Sequence, residues 1–118
     1  MKTSVTKIVK FEMGHQLTDC YSEECKSSHG HSYKLAVTFE GDVHPVTGMV
    51  MDFKQIKEIL QPIINRYDHK FLTAESYGKN PTAENMALDI FDAIRRETFL
   101  IKRVRLWETD TGYAEVSY

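Results

Sequence analysis

Cysteine and proline are scarce in this chain, with two and three copies among 118 residues. Two cysteines cannot supply the disulfide framework that holds many small secreted folds together, so the core has to come from apolar packing. Long hydrophobic runs are missing as well. Phe99–Ile101 is typical of the longest, far short of the roughly 20 residues that span a bilayer. There is no excess of positive charge, with 15 basic against 17 acidic side chains, and so no net field for a phosphate backbone. The opening MKTSVTKIVK has no apolar stretch behind its lysines. The expectation is therefore a cytoplasmic chain without a secretory leader, both thiols reduced, and no membrane or nucleic-acid partner. What remains, 42% hydrophobic and 27% charged residues, is ordinary for a globular fold. The length predicts a single domain over 1–118.

Hydrophobic periodicity divides the chain. Val5, Val9, Phe11 and Met13 share one parity, broken only by Lys7. Tyr33, Leu35, Val37 and Phe39 alternate cleanly with Lys34, Ala36, Thr38 and Glu40, a strand with one buried face, and Gly41-Asp42 ends it. Met49–Met51 reads as a strand stub. From Asp52 the period changes: Phe53, Ile56, Ile59, Leu60, Ile63, Ile64 and Tyr67 fall on one helical face. Asp52 and Gln55 resemble a capping box, and Pro62, lacking the N–H that would bond the Glu58 carbonyl, predicts a bend. A second helix starts at Asn80-Pro81-Thr82 and carries Ala83, Met86, Ala87, Ile90, Phe91 and Ile94 on one face. Two strands follow, Ile101–Glu108 and Tyr113–Tyr118, divided by Asp110-Thr111-Gly112. The order β-β-α-α-β-β predicts an α+β fold, an antiparallel sheet with two helices on one face. Phe11, Tyr33, Trp107 and Tyr118 exceed what one small core absorbs, which points to a homo-oligomer.

The chemistry concentrates at the histidines. His15 ends the first strand, and His29 and His31 begin the second. Residues two apart on a strand project from the same face, and a hairpin would bring His15 to that face too. Three imidazoles with a fourth position open form the donor set of a catalytic zinc site; the plainer reading is three edge-strand histidines. Cys25, four residues before His29, is either a thiolate base lowered in pKa by a nearby cation or a fourth ligand that closes the site. Cys20 reads as an ordinary loop side chain. Asp68-His69 is either a carboxylate-polarised proton shuttle or a helix C-terminal cap, and the cap is the commoner meaning of such a pair. Glu108, late in its strand, could clamp a guanidine-like ring edge by two hydrogen bonds or stand as an exposed acid.

Six segments in order carry a resemblance over nearly the whole chain: FEMGH at 11–15, CKSSHGHSY at 25–33, PVTGMVMDF at 45–53, YDHKFL at 67–72, PTAEN at 81–85 and WET at 107–109. Together they are similar to the superfamily of 6-pyruvoyl-tetrahydropterin synthases and bacterial 6-carboxytetrahydropterin synthases of the queuosine pathway. The resemblance implies the tunnelling fold, in which subunits join their sheets into a barrel with active sites at the interfaces, here as a hexamer or tetramer. It implies Zn²⁺ on His15, His29 and His31, and Cys25 as proton acceptor. Asp68 and His69 would complete the catalytic set from a neighbouring subunit, and Glu108 would anchor the pterin ring. Met13-Gly14 departs from the small residues, such as Ala or Ser, usual before that first histidine.

The implied substrate is 7,8-dihydroneopterin triphosphate. Three residues separate Cys25 from His29, which resembles the 6-carboxy branch, where the side chain is cleaved to release acetaldehyde and triphosphate. PVTGMVM also resembles the 6-pyruvoyl enzymes, which eliminate triphosphate without that cleavage. A pterin- or zinc-binding module without turnover would leave Cys25, Asp68 and His69 without a role. A simple three-histidine zinc hydratase would leave Cys25 and Glu108 unexplained.

Overall fold

The computed structural model describes residues 1–118. Its sheet is built on a long hairpin, Thr3–Gln16 (β1) against His29–Gly41 (β2). The pairing is antiparallel, with Phe11 opposite Tyr33, Met13 opposite His31 and His15 opposite His29. Odd-numbered side chains of both strands therefore lie on one face. Ile101–Thr109 (β4) pairs antiparallel with β2, and Gly112–Ser117 (β5) pairs with β4 across the expected turn. A bulge at Thr38/Phe39 shifts that register, so Ile101 joins Val104 and Leu106 among the buried residues.

The odd face meets the helices. Phe53–Ile64 (α2) is capped as expected: the Asp52 carboxylate accepts from the Lys54 N–H at 2.9 Å, and the Asp52 N–H is directed to the Gln55 side-chain oxygen at 3.4 Å. Ile56, Leu60, Ile63 and Ile64 are buried, each stabilising the fold by about 1.5–3 kcal/mol. Phe53, expected on that face, stays half exposed at 52%. The helix runs through Pro62 and stops at Ile64, so Tyr67 packs from the following turn instead of the helix. Ala83–Arg95 (α4) starts after Thr82, whose hydroxyl caps the Asn85 N–H, and buries Met86, Ala87, Ile90, Phe91 and Ile94. Both helices join the same 20-residue core as the odd faces of β1 and β2, which is the predicted α+β layering.

Three short elements extend the expected order. Glu23–Lys26 (α1) and Ala74–Tyr77 (α3) are single helical turns, and Lys70–Thr73 (β3) adds a parallel strand beside Met13–Gln16. The sheet order is β3-β1-β2-β4-β5. Met49–Met51 forms no strand. It follows a turn in which the His44 N–H bonds the Met49 carbonyl at 2.9 Å, leaving no partner edge for that run. Because β3 covers only the last four residues of β1, residues 3–11 of β1 and all of β5 keep an open ladder edge. No helix is long and apolar enough to cross a membrane.

Candidate metal and substrate site

The hairpin register alone brings three histidines together. His15, His29 and His31 follow Tyr33, Phe11 and Met13 onto the core face, where it runs out at the open end of the hairpin. Their ligand nitrogens all lie within 4.8 Å of one another. The fixed orientation comes from backbone carbonyls. His15, fully buried, has Nδ1 at 2.9 Å from the Pro81 carbonyl, and His29 has Nδ1 at 2.6 Å from the Ser27 carbonyl. A carbonyl only accepts, so both Nδ1 atoms carry the proton and both Nε2 atoms present lone pairs. Those two Nε2 atoms face each other at 2.8 Å. The buried Nε2 of His31 has no hydrogen-bond partner. Burial, partly opposed by Glu108 and reinforced by the other two histidines, lowers the pKa of His31, which favours the neutral, ligating form.

Glu108 reaches the same point from β4. Its Oε1 lies 3.4 Å from His15 Nε2 and 3.6 Å from His31 Nε2. The Tyr33 hydroxyl, buried beneath, donates to Glu108 at 3.4 Å and sits 3.3 Å from His15 Nδ1. Burial, then the Glu108 carboxylate, pushes the Tyr33 phenol far above its usual range, so it remains a donor. Facing lone pairs beside a carboxylate are repulsive unless a metal ion or a shared proton lies among them. The donor set therefore fits a metal ion of the kind that takes imidazole nitrogens. Beyond Glu108 a cavity of about 290 Å³ is lined by Glu84, Thr109 and Tyr113 among others.

The other expected residues stand apart. Asp68 accepts the Glu12 backbone N–H at 3.1 Å and lies 3.0 Å from His69 Nδ1. That backbone bond is the main reason the Asp68 pKa is lowered. The His69 N–H bonds the Glu12 carbonyl at 2.7 Å, and His69 holds a left-handed backbone, φ 60°, uncommon for a residue with a side chain. Its side chain is 80% exposed, and no hydrogen bond or ion pair joins it to the histidine cluster. Cys25 lies in α1, four residues before His29 along the chain.

The expectation of two reduced thiols is not met, because Cys20 and Cys25 form a disulfide. The single turn of α1 folds the loop back and sets their Cα atoms 6.3 Å apart, within ordinary disulfide reach. Reasoning from compartment speaks to average redox state and not to what a five-residue loop brings together.

Tyr33 and the carbonyls of Pro81 and Ser27 were not among the expected contributors. Tyr33 shares the parity of His29 and His31, so strand alternation did signal its place. The Pro81 carbonyl carried no such signal, because a side-chain pattern says nothing of a distant carbonyl. Its placement depends on Asn80, which accepts the Thr18 N–H at 2.8 Å and ties the start of α4 to the end of β1.

A family model described as 6-pyruvoyl tetrahydropterin synthase matches residues 4–118. The 6-carboxy-5,6,7,8-tetrahydropterin synthase of Haemophilus influenzae is 32% identical over 136 aligned residues, covering 94% of this chain and 96% of its own. The dihydroneopterin monophosphate aldolase of Pyrococcus furiosus is 33% identical, with both chains fully covered. In three dimensions the chain superposes on Caenorhabditis elegans 6-pyruvoyl tetrahydropterin synthase with a TM-score of 0.87 at 21% identity, over all of this chain and 96% of the other. The fold is thus the tunnelling fold of those enzymes.

Proposed function

The chain belongs to the 6-pyruvoyl tetrahydropterin synthase family, and from that membership we propose that it is a zinc-dependent 6-carboxy-5,6,7,8-tetrahydropterin synthase. In this reading it converts 7,8-dihydroneopterin triphosphate into 6-carboxytetrahydropterin, releasing acetaldehyde and triphosphate, as a carbon–carbon lyase of queuosine biosynthesis in the cytoplasm. The observation that carries it is the convergence of the unshared nitrogens of His15, His29 and His31 beside Glu108. The three-residue spacer between Cys25 and His29 and the name of the Haemophilus influenzae relative favour the 6-carboxy product.

His15, His29 and His31 would hold the zinc, which when bound supplies a Lewis acid that acidifies the C–H bonds beside the substrate hydroxyls. Glu108, held by the Tyr33 hydroxyl, would take the N–H edge of the pterin ring in paired hydrogen bonds. Cys25, once free of Cys20, would accept a proton from the substrate side chain as thiolate. His69, with Asp68 on its Nδ1, would return a proton from Nε2. The exposure of His69 and the open edges of β1 and β5 support a homo-oligomer, a hexamer or tetramer, in which that pair serves a neighbouring subunit's site.

A second reading, elimination of triphosphate without side-chain cleavage, draws on PVTGMVM at 45–51. Product masses separate the two. Reduced, zinc-loaded protein given dihydroneopterin triphosphate should yield the 6-carboxy product with acetaldehyde. A 6-pyruvoyl product without acetaldehyde would establish the second reading, and turnover of a monophosphate alone would set the chain beside its Pyrococcus furiosus relative.

A further inference from the structure

We propose that Cys25 is a redox-modifiable site, switched off by reversible disulfide formation with Cys20; this rests on Cys25 being the proton acceptor of the reaction proposed above. The two sulfurs are bonded in the structure, and a sulfur committed to a disulfide has neither the proton affinity nor the charge of a thiolate. Both residues are only partly buried, so a small thiol or disulfide can reach them. No residue from Leu17 to Ser28 belongs to the buried core. The loop can therefore hold either state without unpacking the fold.

The loop is nonetheless tied to the site. The Ser22 N–H donates to the Cys25 sulfur at 3.3 Å, and the Gln16 amide donates to the Lys26 carbonyl at 3.1 Å. Ser27, next along, supplies the carbonyl that orients His29. Reduction thus releases a thiol on a segment already anchored at both flanks of the histidine cluster. Disulfides that do occur in cytosolic proteins are usually transient, catalytic or redox-sensing.

The chemistry balances as thiol–disulfide exchange. The Cys25 thiolate attacks a low-molecular-weight disulfide and expels one thiolate, forming a mixed disulfide. The Cys20 thiolate then attacks the Cys25 sulfur and expels the second. Two protein thiols are oxidised by two electrons, the small disulfide is reduced to two thiols, and these take up the two protons. A dithiol reverses the sequence.

The test uses the zinc-loaded full chain equilibrated with oxidised glutathione or with dithiothreitol, followed by quenching with iodoacetamide and intact mass measurement. Oxidised protein should gain no label and lose nearly all turnover; reduced protein should gain two labels and regain it. Cys20→Ala should keep its activity after the same oxidation once any mixed disulfide with glutathione is removed by a monothiol. Two labels after oxidation would overturn the switch while leaving the proposed reaction intact, whereas full activity in unlabelled, oxidised protein would overturn both the switch and the role of Cys25 as proton acceptor. A fully reduced, zinc-loaded enzyme that turns over no pterin would overturn the reaction and the switch together.

Discussion

His15 Nε2 and His29 Nε2 face each other at 2.8 Å while their Nδ1 atoms are held by the carbonyls of Pro81 and Ser27. Two such lone pairs repel unless a metal ion or a shared proton lies between them, and the buried His31 Nε2, without a hydrogen-bond partner, completes a donor set for a metal ion.

The first prediction follows directly. Purified chain should bind one zinc, and alanine at His15, His29 or His31 should abolish it, read by elemental analysis. Because binding favours only the folded state, zinc at 100 times its dissociation constant should raise stability by about 2.7 kcal/mol, seen as a higher Tm that chelator reverses. Unchanged metal content in all three variants would dismantle the site.

Under reducing conditions, Cys25→Ala should keep zinc and lose turnover by about 10²–10⁴-fold, the usual size of an acid–base contribution. Cys20→Ala should stay close to wild type. Cys25 is tethered through Ser27 to His29 of the histidine cluster, whereas the Cys20 backbone has no such link. Loss of zinc in Cys25→Ala would make it a ligand, and equal loss of activity in both would indicate a two-thiol redox role.

Tyr33, Tyr67 and Tyr77 all have raised pKa values, burial being the first cause in each. An acid whose folded pKa is raised holds its proton longer folded than unfolded. Stability from these groups is therefore complete below about pH 10 and falls as pH rises beyond it. Tyrosinate absorbance should show these three ionising only together with unfolding. Tyr33→Phe should leave the part of the titration before unfolding unchanged, and a smaller amplitude there would contradict the burial argument.

Much of this architecture could be read from periodicity, and the reasons it stopped there are physical. Strand alternation placed His29, His31 and Tyr33 on one face, and a hairpin needs only antiparallel pairing to add His15. Helical spacing found α2 and α4 because each buries four or five side chains. β3 has four residues and no fully buried one, so it carries no period, and its parallel pairing depends on a chain reversal after α2. The Cys20–Cys25 bond likewise arises from a single turn too short to leave a pattern. Even the left-handed backbone of His69 had no glycine or asparagine to announce it.

That His69 conformation leads to the last prediction. The backbone of the Asp68–His69 pair is fixed to Glu12 on both sides, since Asp68 accepts the Glu12 N–H and His69 donates to its carbonyl. Sparse conformations of this kind persist only where the surroundings enforce them, and they cluster at functional sites. Yet the imidazole points to solvent and touches nothing in its own histidine cluster. A pair held this firmly and used by no other group in its own chain is suited to a neighbour. Cys25→Ala and His69→Ala should each be nearly inactive alone while retaining zinc. Oligomers assembled from an equal mixture should regain activity, because roughly a quarter of the sites would receive Cys25 from one parent and His69 from the other when subunits mix at random. Co-expression with two different affinity tags, purification through both, and assay of product per zinc measures this. Mixed oligomers as inactive as their parents would place all catalytic groups within one chain and leave the exposed His69 without its proposed role.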